Sequence, residues 1–90
     1  MKISKEKKEK IFEQILGLLY SDHFKPLFTS QVAREIARDE EFMKELLIEL
    51  KNKGLVIEIK RNSEGRIYVK RSRWKLSDTT YKTYKNLSDT

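Results

Sequence analysis

The sequence predicts a mainly α, α+β domain made of three helices, a small β-hairpin and a short closing helix. Three observations lead there. Apolar residues recur at helical spacing as far as Lys53, and after Gly54 they alternate instead. Two alternating stretches then flank Asn62-Ser63-Glu64-Gly65, a run of turn-forming residues. Ninety residues is the size of one small domain, so residues 1–90 read as a single unit.

The first helix begins at Ser4, whose hydroxyl can cap it, and runs to about Tyr20. Ile11, Phe12, Ile15, Leu16, Leu18 and Leu19 give it a wide apolar face, with Lys7, Lys8, Glu9, Lys10 and Glu13 opposite. Glu6 and Lys10 stand one turn apart and predict a weak ion pair. Ser21 to Phe28 holds the only proline, Pro26, and reads as a loop. Thr29 or Ser30 then caps a short helix from Gln31 to about Arg38, with Val32, Ala33, Ile36 and Ala37 as its buried stripe. Asp39 caps the third helix, about residues 40–53, which turns Met43, Leu46, Leu47 and Leu50 inward. Gly54 stands where a helix end takes up a left-handed conformation. The hairpin occupies about residues 55–76, pairing residues 55–61 with 66–71, with Leu55, Ile57, Ile59, Ile67 and Val69 as its apolar positions. A closing helical piece spans about residues 77–87 and carries Tyr81, Tyr84 and Leu87. The expected core combines Ile11, Ile15, Leu16, Val32, Ile36, Leu46, Leu50, Ile57, Ile67 and Val69.

Charge is unevenly spread. Residues 55–90 hold nine Lys and Arg against four Asp and Glu, a balance of +5, and residues 1–54 hold eleven against ten. Lys60, Arg61, Arg66, Lys70, Arg71, Arg73 and Lys75 crowd one stretch whose single acid is Glu64. Each such cation can neutralise a phosphate and release a condensed counterion. The other reading is a solvated basic face. It is weakened by the local surplus and by arginine supplying four of the seven cations. The chain has no cysteine and one histidine, His23, which excludes a disulfide framework, a thiolate metal site and a multi-histidine site. No Gly-rich phosphate loop or spaced catalytic triad stands out, so neither an enzyme nor a cofactor is expected. No apolar run approaches a membrane span, and the charged, then helical start reads as cytoplasmic. Abundant Lys, Glu and Ile with scarce Gly and Pro resemble hyperthermophile usage.

Val32-Ala33 and Ile36-Ala37, the stretch from Leu46 to Val56, and Trp74-Lys75-Leu76-Ser77 followed by Tyr81 and Tyr84 together resemble a winged helix-turn-helix domain of small archaeal and bacterial transcription regulators. The likeness covers roughly residues 10–87. It implies that the third helix enters the major groove of double-stranded DNA and that the wing rests on phosphates. Carried over by position, the nucleic-acid contacts are Lys60, Arg61, Arg66, Lys70, Arg71, Arg73, Lys75 and Lys44. Glu41, Phe42, Glu45 and Ile48 form the groove-facing or docking side of the third helix. Here the chain departs from the pattern: Asp39, Glu40, Glu41, Glu45 and Glu49 stand against Lys44 alone. The acidic start suits the helix dipole, but carboxylates facing phosphate repel it. Two other readings follow, a protein-interaction module using this acidic helix with Phe42 and Ile48, and a non-specific nucleic-acid binder, RNA included, using the wing alone. The broad apolar face of the first helix, with Tyr81, Tyr84 and Leu87, also predicts a homodimer.

Overall fold

The computed structural model describes residues 4–60 and 72–88. Its elements follow in the order α1 (Lys5–Ser21), β1 (Leu27–Phe28), α2 (Thr29–Ile36), α3 (Glu40–Asn52), β2 (Val56–Ile59), β3 (Arg73–Leu76) and α4 (Asp78–Ser88). The strands form one antiparallel sheet in the order β1-β3-β2. This is the predicted fold class, with helices packed on one face of a small sheet.

Local chemistry sets the helix ends. Ser4 accepts a hydrogen bond from the Lys7 N–H at 3.2 Å and starts α1. Asp39 does the same for the Phe42 N–H at 3.1 Å and starts α3. At the end of α3, Gly54 adopts φ +77°, and the N–H groups of Gly54 and Leu55 return to the carbonyls of Lys51 and Leu50. α2 departs from expectation at both ends. Neither Thr29 nor Ser30 caps it. The N-cap is Phe28, whose N–H donates to the Gln31 side chain at 2.9 Å. Thr29 is engaged elsewhere, because its hydroxyl accepts the buried Trp74 indole N–H at 2.8 Å. The helix stops at Ile36 because Ala37 turns left-handed, at φ 59°, and this leaves Ala37 exposed rather than in the buried stripe.

Ile11, Phe12, Ile15, Leu19, Val32, Ala33, Met43, Leu46, Leu47 and Leu50 from the helices meet Leu27, Val56, Trp74 and Leu76 from the sheet in one core. Leu16, Ile36 and Phe42 are partly buried against it. Trp74 is fully buried at its centre. Three expectations need correction. The loop from Ser21 to Phe28 ends in a strand, since Leu27 and Phe28 pair with Trp74 and Arg73. Residues 56–59 pair with residues 73–76, Val56 opposite Leu76 and Ile59 opposite Arg73, rather than with residues 66–71. The core side of β2 carries Val56, and Ile57 lies 39% exposed on the outer face. Ile67, Val69 and the turn at 62–65 lie outside the described residues. Among the described residues the ion pairs also differ from expectation: Lys8, not Lys10, is engaged, and it spans from α1 to Glu49 of α3 at 2.7 Å.

Candidate nucleic-acid interface

α3 presents one continuous exposed strip of Glu41, Lys44, Glu45, Ile48 and Asn52, residues spaced three or four apart. Ile48 is 39% exposed. Phe42 is not on that strip. It is half-buried and packs against the core, which follows from its place beside Met43 just after the α2–α3 turn. Most acids of the helix, Glu41 of the strip among them, have structural work. Asp39 is the cap, Glu40 and Glu41 stand in the first turn where the helix dipole favours negative charge, and Glu49 binds Lys8.

Of the basic residues predicted at the wing, Arg61, Arg66, Lys70 and Arg71 lie outside the described residues. Lys60 is exposed at the end of β2. Arg73 and Lys75 alternate with the buried Trp74 and Leu76, so they stand on the outer face of the sheet, opposite Ile59 and Ile57. Both are half-buried there beside those aliphatic side chains. The sheet therefore gathers Arg73 and Lys75 on one face and carries Lys60 at its open end.

The base of the wing is fastened to α3 through Glu58. This side chain lies on the core side of β2, in step with Val56, and is only 9% exposed. Its carboxylate accepts from Lys51 Nζ at 2.8 Å and from Ser72 Oγ at 2.5 Å, and Lys60 Nζ stands 3.9 Å away. Burial alone pushes the Glu58 carboxyl up. The hydrogen bonds from Lys51 and Ser72 and the charges of Lys51 and Lys60 outweigh it, holding the carboxyl below its ordinary range. Sequence reasoning missed Glu58, Lys51 and Ser72. The seven-residue step from Lys51 to Glu58 brackets Gly54, but only the reversal at that glycine shows that the chain returns to the same place. It also passed over Arg34 on α2 and Arg38 in the α2–α3 turn, both exposed cations beside the helix-turn-helix.

A second cluster joins α1 to α4. Tyr20 lies 5.7 Å from Tyr81 and 5.5 Å from Tyr84, centroid to centroid, and the His23 ring lies between Tyr81 and Phe24. Phe24 is 90% exposed and Leu87 68%. Burial, with the Glu13 charge, raises the Tyr84 hydroxyl above its ordinary value. Among the described residues no group of three metal-capable side chains converges, and no helix is long and apolar enough to cross a membrane.

No protein-family model and no curated relative matches the chain. Solved structures match it in fold. The MepR–DNA complex of Staphylococcus aureus superposes with a TM-score of 0.69 at 20% identity, over 97% of this chain and 63% of that one. The PcaV transcriptional regulator of Streptomyces coelicolor, in complex with its natural ligand, gives 0.64 at 17% identity, over 96% and 53%. ZitR of Lactococcus lactis, as its E41A mutant, gives 0.62 at 12% identity, over 84% and 49%. The chain thus has the winged helix-turn-helix fold, and it spans between 49 and 63% of the length of these three proteins.

Proposed function

We propose that this protein is a DNA-binding transcription regulator that holds duplex DNA mainly through phosphate contacts from its wing, with α3 laid against the major groove. The observation that carries the reading is the convergence of cations from two elements at one carboxylate. Lys51 of α3 pairs with Glu58 of β2, and Lys60 stands 3.9 Å from the same carboxylate, so the end of α3 lies beside the strand that leads into the basic stretch. The fold, shared with a regulator solved on DNA, supports the same reading. Phosphate-contacting groups are Lys60, Arg61, Arg66, Lys70, Arg71, Arg73 and Lys75, with Lys44 on the helix. Glu41, Glu45 and Ile48 face the groove without supplying affinity. The protein works in the cytoplasm.

The test is binding to random duplex DNA over a range of salt. Counterion release makes log K fall linearly with log salt at a slope of about −0.9 per neutralised phosphate. A steep slope is expected, and affinity that ignores salt would end the reading. In that event the exposed Ile48 among Glu41 and Glu45 makes docking of a protein partner the next reading. A homodimer through the α1–α4 side fits the exposure of Phe24 and Leu87 beside the aromatic cluster. Sedimentation at two concentrations separates monomer from dimer, and Phe24→Ala should shift that balance toward monomer.

A further inference from the structure

We propose that Glu58 is the positioning residue of the DNA interface, fixing the base of the wing against the last turn of α3. This rests on the DNA-binding reading just given. Three parts of the chain meet at the carboxylate: Lys51 from the end of α3, Lys60 just beyond β2, and Ser72 just before β3. The two chain segments that bound the wing are thereby joined to each other and to the helix. The backbone pairing of Ile59 with Arg73 closes the last described rung beside them.

An acid in this place needs a reason. The core-facing positions of β2 and β3 are Val56, Trp74, Leu76 and Glu58, and only Glu58 is charged. A charge there carries a desolvation cost, which close, well-directed donors must offset. An aliphatic residue would satisfy the sheet without one. It could not hold Lys51 and Ser72 in fixed directions, which a carboxylate with two oxygens does. The Ser72 hydroxyl donates to an ionised acceptor, a charge-assisted hydrogen bond. The carboxylate also stands close to two lysines that phosphate would otherwise attract. Simple electrostatics therefore makes Glu58 unfavourable for DNA binding, and the positioning role makes it necessary. The two ideas predict opposite signs.

The experiment compares the full chain with Glu58→Gln and Ser72→Ala, using fluorescence anisotropy on a random 20-base-pair duplex well below the melting temperature. Glu58→Gln removes one negative charge, yet it should weaken binding by about tenfold, because the ends of β2 and β3 are no longer tied to α3. Ser72→Ala leaves the charge unchanged and should weaken binding by about threefold, the effect of one lost hydrogen bond. It also serves if Glu58→Gln does not fold. Equal or tighter binding by either folded variant overturns the proposal. A lower melting temperature with unchanged affinity overturns it as well, since that marks a role in stability alone. Should the parent chain ignore DNA, the DNA reading fails by itself and amide exchange decides the positioning role. Exchange at Ile59 and Arg73 should then quicken in Glu58→Gln relative to Ile57 and Lys75 one rung pair away, and equal protection at both overturns it.

Discussion

Helix α3 and the wing strands lie side by side, yet their charges serve different ends. On α3 most carboxylates act within the fold. Asp39 closes the first turn, Glu40 and Glu41 stand at the positive end of the dipole, and Glu49 ties α3 to Lys8 of α1. On the sheet the pattern inverts. Its one core-side acid, Glu58, is enclosed by Lys51, Ser72 and Lys60, and the cations Arg73 and Lys75 occupy the outer face. The comparison teaches that a negative helix need not argue against the DNA-binding proposal. Its acids can be fixed by the requirements of a short helix, while under that proposal the neighbouring strands supply the affinity.

The largest expected effect falls on what both regions share. Trp74 belongs to the wing strand but donates to Thr29 of the helix-turn-helix and fills the centre of the core. Trp74→Ala should cost about 3–5 kcal/mol and unfold much of the chain at moderate temperature, measured by urea denaturation. A loss near 1 kcal/mol would mean the two regions fold more independently than their packing suggests. Next comes the cap. Asp39→Ala should cost about 1 kcal/mol and lower the melting temperature by roughly 4–8 °C. Duplex binding measured well below melting should not weaken. A matching loss of affinity would move Asp39 from folding to recognition.

Acid should act on the wing side of the comparison. The Glu58 carboxyl is held below its ordinary value of 4.5, so its stabilising contribution is complete above that value and is lost as pH falls through the lower folded one. Melting temperatures of the parent and Glu58→Gln should differ at neutral pH and converge in acid below that value. A gap that persists in strong acid would trace the stabilisation to packing rather than charge. The smallest effect belongs to the exposed acids of α3. Replacing Glu41 and Glu45 by Gln should tighten random-duplex binding by only about two- to fivefold, because repulsion across a water-filled groove is screened. If one of them reads a cytosine amine, a selected site should instead lose about 1–3 kcal/mol of preference.

Where one helix turn decides the outcome, the sequence was readable. Ser4, Asp39 and Gly54 mark helix ends through contacts with residues three or four away, and all three perform as read. What was hidden depends on distant partners. Thr29 looks like a cap until Trp74, forty-five residues later, claims its hydroxyl. Leu27 and Phe28 form a strand only because β3 lies beside them. The alternation in residues 55–60 shows two possible faces, and hydrophobicity favours the one carrying Ile57 and Ile59. The molecule turns Val56 and Glu58 inward instead, since Lys51 and Ser72 satisfy the carboxylate. Composition displayed the basic stretch of the proposed interface, but not Glu58, Lys51 and Ser72, which join the ends of β2 and β3 to α3.

The claim that the wing supplies the affinity is tested most directly by salt titration of random-duplex binding. The parent chain is compared with a variant carrying Arg61→Ala, Arg66→Ala and Arg71→Ala. If three phosphates lose their partners, the slope of log K against log salt should shrink in magnitude by about 2.7, equally for every duplex sequence. Melting temperature should be nearly unchanged. An unaltered slope and affinity would contradict the claim and leave the basic stretch as a solvated surface.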